Sequence, residues 1–213
     1  IKELPREKLD NEKRRKKKES VILEKVIKHS LQSRWALWFF KNVKSQPWQC
    51  NLRLVTTFNT VEDFWSLYTH IQLASKLSSG CDYSLFKRPG EKTQATNLLV
   101  CQSPYLLNLV IQAKPKLNIL TGTLCSCSQL LCLIGEAFDE YSEEVCGAVI
   151  NIRAKGDKIA IWTRETENRE AVTHIGKVYK ERLGLSSKVV IGYQAHADTA
   201  TKSSSLSKNK FVV

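Results

Sequence analysis

Residues 147–162, GAVINIRAKGDKIAIW, decide the fold. They read as a β-hairpin. Two alternating segments, 149–153 and 158–162, flank the polar turn 154–157, where Gly156 takes a positive φ without a Cβ penalty. Strand side chains alternate between faces. Ala148, Ile150 and Ile152 therefore share one face of the first strand, and Ile159 and Ile161 one face of the second. Asn151, Arg153, Lys158, Ala160 and Trp162 take the opposite faces. Two fixed cations beside an indole suit a ligand that is part phosphate and part aromatic base. An ordinary solvated strand face carrying one Trp satisfies the same pattern.

Working outward, 213 residues suit one globular domain with a tail. Apolar content of 42% and charged content of 25% are ordinary for a soluble fold, but the formal charge of +12 is not. Residues 1–28 hold 11 Lys/Arg against 6 Asp/Glu, which leaves +7 on the body and favours a polyanionic partner. That tail reads as disordered, because it is charge-rich and nearly free of aromatics. Its basic run 13–18 reads as a nuclear-import signal, a phosphate-attracting arm or a solvated tail. Seven cysteines (50, 81, 101, 125, 127, 132, 146) show no CxxC spacing and no His near a Cys pair, so neither a disulfide framework nor a metal site is expected. Without an apolar run of about 18 residues no membrane span is expected. The N-terminus is basic and lacks a signal-peptide core, so the reading is a cytoplasmic or nucleocytoplasmic chain.

Along the body, residues 34–40, RWALWFF, read as a buried strand, followed by a loop 41–49 with Pro47-Trp48 at its tip. Trp48 in a polar loop either folds back onto the body or serves as a stacking platform. Residues 51–58 form a second strand. Residues 60–73 form the clearest helix, with Thr60 as N-cap and Asp63 at the capping-box position. This helix carries two apolar stripes, Phe64/Leu67/Ile71 and Val61/Trp65/Tyr68. One packs on the sheet, and the other is a wider core contact or a docking patch. Residues 88–126 keep neither a period of 2 nor of 3.6 and offer only a weak strand near 106–111. Helices follow at 130–138 and 166–183, the latter stopped by Gly184, then strands at 188–194 and 208–213 around a Ser/Thr-rich loop 197–207. Strands outnumber helices and no βαβ rhythm appears. The expected class is α+β, an antiparallel sheet with helices on one face.

Several blocks in order, RWALWFFKN, NTVEDFWSLYTHIQL, GCDYSLFK, LLCLIGE, RAKGDKIAIWT, ENREAVTHIG and IGYQ followed by HADTATKS, resemble the eukaryotic translation initiation factor 4E family of mRNA cap-binding proteins. Within it, LASKLSSG and YQAHADTATKSSSLSKNKFVV are similar to the oocyte-type 1B members. The resemblance spans about 29–87 and 128–213.

The resemblance implies a curved antiparallel sheet backed by about three helices on its convex face, shaped as a cupped hand, in a domain 29–213 behind the tail 1–28. It implies that 7-methylguanine stacks between two indoles, the base being cationic. Carried over by motif, Trp48 is the first stacking ring and Trp162 contacts the methylated side. Arg153 and Lys158 bind phosphate, Asn151 supports them, and Lys202 lies in a loop over the phosphates. Ser205 falls at a phosphorylatable serine. His29, Val61, Trp65 and Leu131 match the patch that docks a helix of scaffold or repressor proteins.

The departure lies in 88–126, where the family carries its second stacking Trp and a base-pairing Glu. Here that block has no Trp, and Glu91 is its one acid. A lost stacking partner costs about 1–3 kcal/mol and a lost charge-assisted bond about 1.5–3 kcal/mol. The expected function is therefore a translation initiation factor that binds the cap roughly a hundred- to several-thousand-fold more weakly. The alternative is a cap-deficient interaction protein that sequesters scaffold or repressor partners. A third reading is a nonspecific RNA binder driven by the tail. The four His residues form no nucleophile–base or metal motif and no phosphate-binding Gly loop appears, so catalysis, cofactors, membrane and DNA are not expected.

Overall fold

The computed structural model describes residues 28–88, 107–112, 123–165, 168–186, 189–195 and 211–213. Eight strands form one antiparallel, curved sheet: β1 (Ser30–Lys41), β2 (Leu52–Thr60), β3 (Cys81–Lys87), β4 (Leu107–Gln112), β5 (Val145–Asn151), β6 (Lys158–Thr163), β7 (Gly192–Ala195) and β8 (Phe211–Val212). Their order is β2-β1-β3-β5-β6-β4-β7-β8. Among the described residues three helices join them: α1 (Val61–His70), α2 (Thr123–Ile134) and α3 (Arg169–Arg182). A single helical turn, Trp48–Asn51, closes the loop between β1 and β2.

Alternation builds the core. Trp35 and Leu37 of β1, Leu85 of β3, Ala148 and Ile150 of β5, Ile159 and Ile161 of β6 and Tyr193 of β7 form one buried face. Phe64 of α1, Leu133 of α2 and Val172, Ile175 and Tyr179 of α3 pack into the same core. All three helices thus lie on one face of the sheet. The two faces of the 147–162 hairpin divide as the sequence predicts.

Local chemistry sets the boundaries. Thr60 caps α1, its hydroxyl oxygen accepting the Asp63 amide at 3.2 Å, and Asn168 caps α3 through the Ala171 amide at 3.1 Å. The helix expected at 130–138 spans Thr123–Ile134 instead. It stops early because Glu136 adopts φ 50° and two backbone bonds, Ala137 N–H to Cys132 O and Glu136 N–H to Leu133 O, close a Schellman motif. The helix expected at 166–183 begins at Arg169, after its Asn168 cap. Strand β3 was not expected from periodicity, although Cys81, Tyr83 and Leu85 alternate inward. The hairpin strands pair Asn151 with Lys158, so its loop covers 152–157 and places Arg153 outside the ladder. Gly156 sits there at φ 132° as expected. Residues 107–112, inside the irregular segment 88–126, form a central strand between β6 and β7. The expectations for the tail before Lys28, and for the loop holding Lys202 and Ser205, lie outside the described residues.

Candidate functional site

The sheet face away from the helices carries three cross-strand rows, each fixed by register. The first aligns Ala36, Phe86, Gly147 and Trp162 across β1, β3, β5 and β6. The second aligns Trp38, Ser84, Val149 and Ala160, and Val149 and Ala160 are buried as an apolar floor. The third aligns Asp82, Asn151 and Lys158, with Arg153 two residues beyond Asn151. Trp162 and Lys158 lie four residues apart on one strand face, about 13 Å at the antiparallel rise. An aromatic row and a cationic row at that spacing match a nucleoside base at one end and its phosphates at the other.

The aromatic row is packed. The Phe86 ring meets the Trp162 indole edge-on, with centroids 5.1 Å apart and planes at 67°. Gly147 lies between them in the ladder. Trp48, expected as the first stacking ring, begins the helical turn behind Pro47, and its side chain is outside what is described.

The cationic row is pre-arranged. Asp82 accepts both terminal nitrogens of Arg153, the Nη2 to Oδ2 distance being 3.0 Å. This carboxylate raises the Arg153 pKa, and the side chain remains two-fifths exposed. Lys158 is half-buried, and its pKa is lowered first by burial and then by the neighbouring Arg153 charge. A desolvated ammonium beside a guanidinium is stabilised by any anion that reaches both.

On the other side of the sheet lies a second constellation. Trp65 and Leu131 are each 41% exposed, unusual for large apolar groups. Val61 is one turn before Trp65 on α1, and Trp65 meets Tyr68 edge-on at 5.8 Å. The Tyr68 hydroxyl reaches Cys127 of α2, one turn before the exposed Leu131. His29 stands at the start of α1. Its Nδ1 lies 2.6 Å from Glu62 Oε1, its amide donates to Glu62 Oε2 at 2.9 Å, and its carbonyl accepts the Val61 amide at 2.9 Å. Lys28 pairs with Asp63 at 2.7 Å on the same helix end.

A family profile for "Eukaryotic initiation factor 4E" matches residues 30–93 and 121–211. The chain belongs to the eukaryotic initiation factor 4E family. The Homo sapiens eukaryotic translation initiation factor 4E is 59% identical over 204 residues, covering 96% of this chain and 92% of that protein. The Homo sapiens type 1B protein is 62% identical over 189 residues, covering 89% and 76%. Among solved structures, C. elegans eIF4E-3 with the 4E-binding protein Mextli and a cap analog aligns with a TM-score of 0.74 at 34% identity, covering 87% of this chain and 99% of that one. Ascaris suum eIF4E-3 with m7G cap gives 0.74 at 33%, covering 88% and 98%.

The initiation factor 4E profile breaks off at 93 and resumes at 121, within the segment that the sequence sets apart. Lys158, Asn151 and Trp162 fall on one sheet face with Arg153 on the adjoining hairpin loop, and Val61, Trp65 and Leu131 with His29 lie on the opposite side. Three residues of the first site escape a sequence reading. Asp82, Phe86 and Gly147 become visible only when β3 is placed beside β5.

Proposed function

We propose that this chain is a translation initiation factor that binds the 7-methylguanosine 5′ cap of mRNA through Trp48, Trp162, Arg153, Lys158 and Asn151, with Lys202 over the phosphates. Scaffold and repressor helices dock on His29, Val61, Trp65 and Leu131, so the protein regulates translation by joining cap to partner. The observation that carries this reading is the aromatic row and the cationic row sharing one sheet face about 13 Å apart. The solved relatives bound to cap analogs support it. Binding, not catalysis, is the chemistry proposed, and the place proposed is the cytoplasm, with a nuclear fraction. The working domain is 29–213, Ser205 is the phosphorylation candidate, and the affinity is reduced because residues 88–126 contain no Trp.

Titration of Trp fluorescence with 7-methyl-GTP, with GTP as control and Trp48→Ala alongside, tests the reading. Saturable quenching by the methylated ligand, lost in the variant, is expected. Equal response to both nucleotides from a folded chain overturns it in favour of the cap-deficient interaction protein. That second reading draws on the exposed side chains of Trp65 and Leu131, which lie outside residues 88–126.

A further inference from the structure

Arginine has five N–H donors in one plane. In Arg153 one Nη1–H points to Asp82 Oδ1, and the other is shared between the Ile152 carbonyl at 2.9 Å and the Cys81 carbonyl at 3.4 Å. One Nη2–H goes to Asp82 Oδ2. That leaves Nε–H and the outer Nη2–H, and among the described residues no acceptor takes either. These two donors lie on the same edge of the guanidinium and form a fork that fits two oxygens of one phosphate.

We propose that Asp82 is a positioning residue for phosphate recognition: it occupies the terminal edge of Arg153 and turns the Nε/Nη2 edge toward the ligand. This role of Asp82 rests on the proposed role of Arg153 as a phosphate cation. Asp82 does not touch the ligand in this arrangement. Its side chain is 13% exposed and sits on β3, a rigid strand inside the sheet, whereas Arg153 projects from the hairpin loop. Without the carboxylate, an exposed guanidinium on a loop samples many rotamers, and each bond to phosphate then orders it afresh. The carboxylate also places a negative charge near the phosphates. Positioning outweighs that repulsion because the terminal edge is already neutralised and only the outer edge meets the anion.

The test compares the wild-type chain, Asp82→Asn, Arg153→Ala and the double variant, titrated with 7-methyl-GTP, GTP and 7-methylguanosine without phosphates. Asp82→Asn is expected to weaken triphosphate binding about tenfold, the worth of a charge-assisted bond, while nucleoside binding is unchanged. In the Arg153→Ala background, Asp82→Asn is expected to cost nothing further. Tighter triphosphate binding by Asp82→Asn, or an equal loss in both backgrounds, overturns the proposal. Because Asp82→Asn could also loosen β3, proton–nitrogen NMR of the wild-type chain follows the Arg153 Nε–H as inorganic tripolyphosphate is added. A downfield, exchange-protected Nε–H is expected, and an unmoved signal overturns the proposal. Equal binding of GTP and 7-methyl-GTP would refute methyl-cap recognition alone, and the triphosphate–nucleoside comparison would still decide the role of Asp82.

Discussion

Phe86 rests its ring edge against Trp162 across a residue that has no side chain, Gly147. A Cβ built on Gly147 would lie 2.2 Å from the Leu85 carbonyl oxygen and 2.4 Å from the Phe86 ring, and 2.9 Å from the Phe86 Cα. Two of these neighbours are backbone atoms, so no side-chain rotation relieves the overlap. Gly147→Ala must part β3 from β5 or push Phe86 off Trp162. The expected cost is that of overpacking, about 1–3 kcal/mol, read as a lower urea midpoint with unchanged slope. Affinity for 7-methyl-GTP falls with it. An unshifted midpoint would show that the ladder yields at this point.

Lys158 gives the site a pH signature. Burial and Arg153 hold its pKa below the ordinary 10.5. A polyphosphate favours the charged ammonium, so binding takes up protons wherever the free lysine is partly neutral. Affinity therefore drops as pH rises through the lowered pKa, at a pH where an exposed lysine is still charged. Lys158→Arg stays charged throughout and should lose this drop. Titrating both proteins with 7-methyl-GTP between about pH 7 and 10 cancels the ligand's own ionisation. Parallel curves would sink the prediction. For folding the sign runs the other way. The unfolded lysine binds the proton more tightly, so Lys158 contributes a rise in stability with pH across the same window.

The exposed Trp65 should matter for docking far more than for folding. Its indole is 41% exposed and contacts Phe64 and Tyr68 edge-on, so truncation leaves the core beneath intact. Trp65→Ala is expected to weaken a helical 4E-binding-protein peptide by about 2 kcal/mol or more, near thirtyfold, as central aromatic anchors do. Calorimetric titration against the peptide reads this, with thermal unfolding as control. Peptide affinity unchanged in a folded variant would remove Trp65 from the patch.

What the sequence made legible follows the range of each signal. The alternation in 147–162 is local, and it placed Ile150 and Ile159 inward and Lys158 and Trp162 outward without any knowledge of neighbours. Thr60 and Asp63 cap a helix across three residues, again a local matter. Asp82 escaped because its meaning depends on Arg153, 71 residues away, and on β3 lying next to β5. The end of α2 escaped for a subtler reason: a non-glycine, Glu136, takes the left-handed position after Gly135. Sequence rules place that conformation on glycine or asparagine.

The same Glu136 carries the last prediction. Its carboxylate is 3% exposed and lies 3.1 Å from the Lys87 ammonium, itself 15% exposed, with no aligned hydrogen bond to its oxygens among the described residues. Lys87 ends β3 and also donates to the Ser142 carbonyl at 3.0 Å, while its charge sits 5.8 Å over the Trp35 ring. The pair thus joins the two flanks of the irregular segment, one residue before position 88 and ten after 126. Removing one partner of a buried pair strands the other charge, which costs about 3–5 kcal/mol, whereas replacing both with apolar groups of similar size is close to neutral. Lys87→Met alone, which strands the 3%-exposed Glu136 carboxylate, should therefore lower the urea midpoint sharply, and Lys87→Met with Glu136→Leu should recover most of the loss. The midpoints of the four proteins form a cycle. Additive losses would mean that the two charges act independently and that the flanks of 88–126 are held by packing alone.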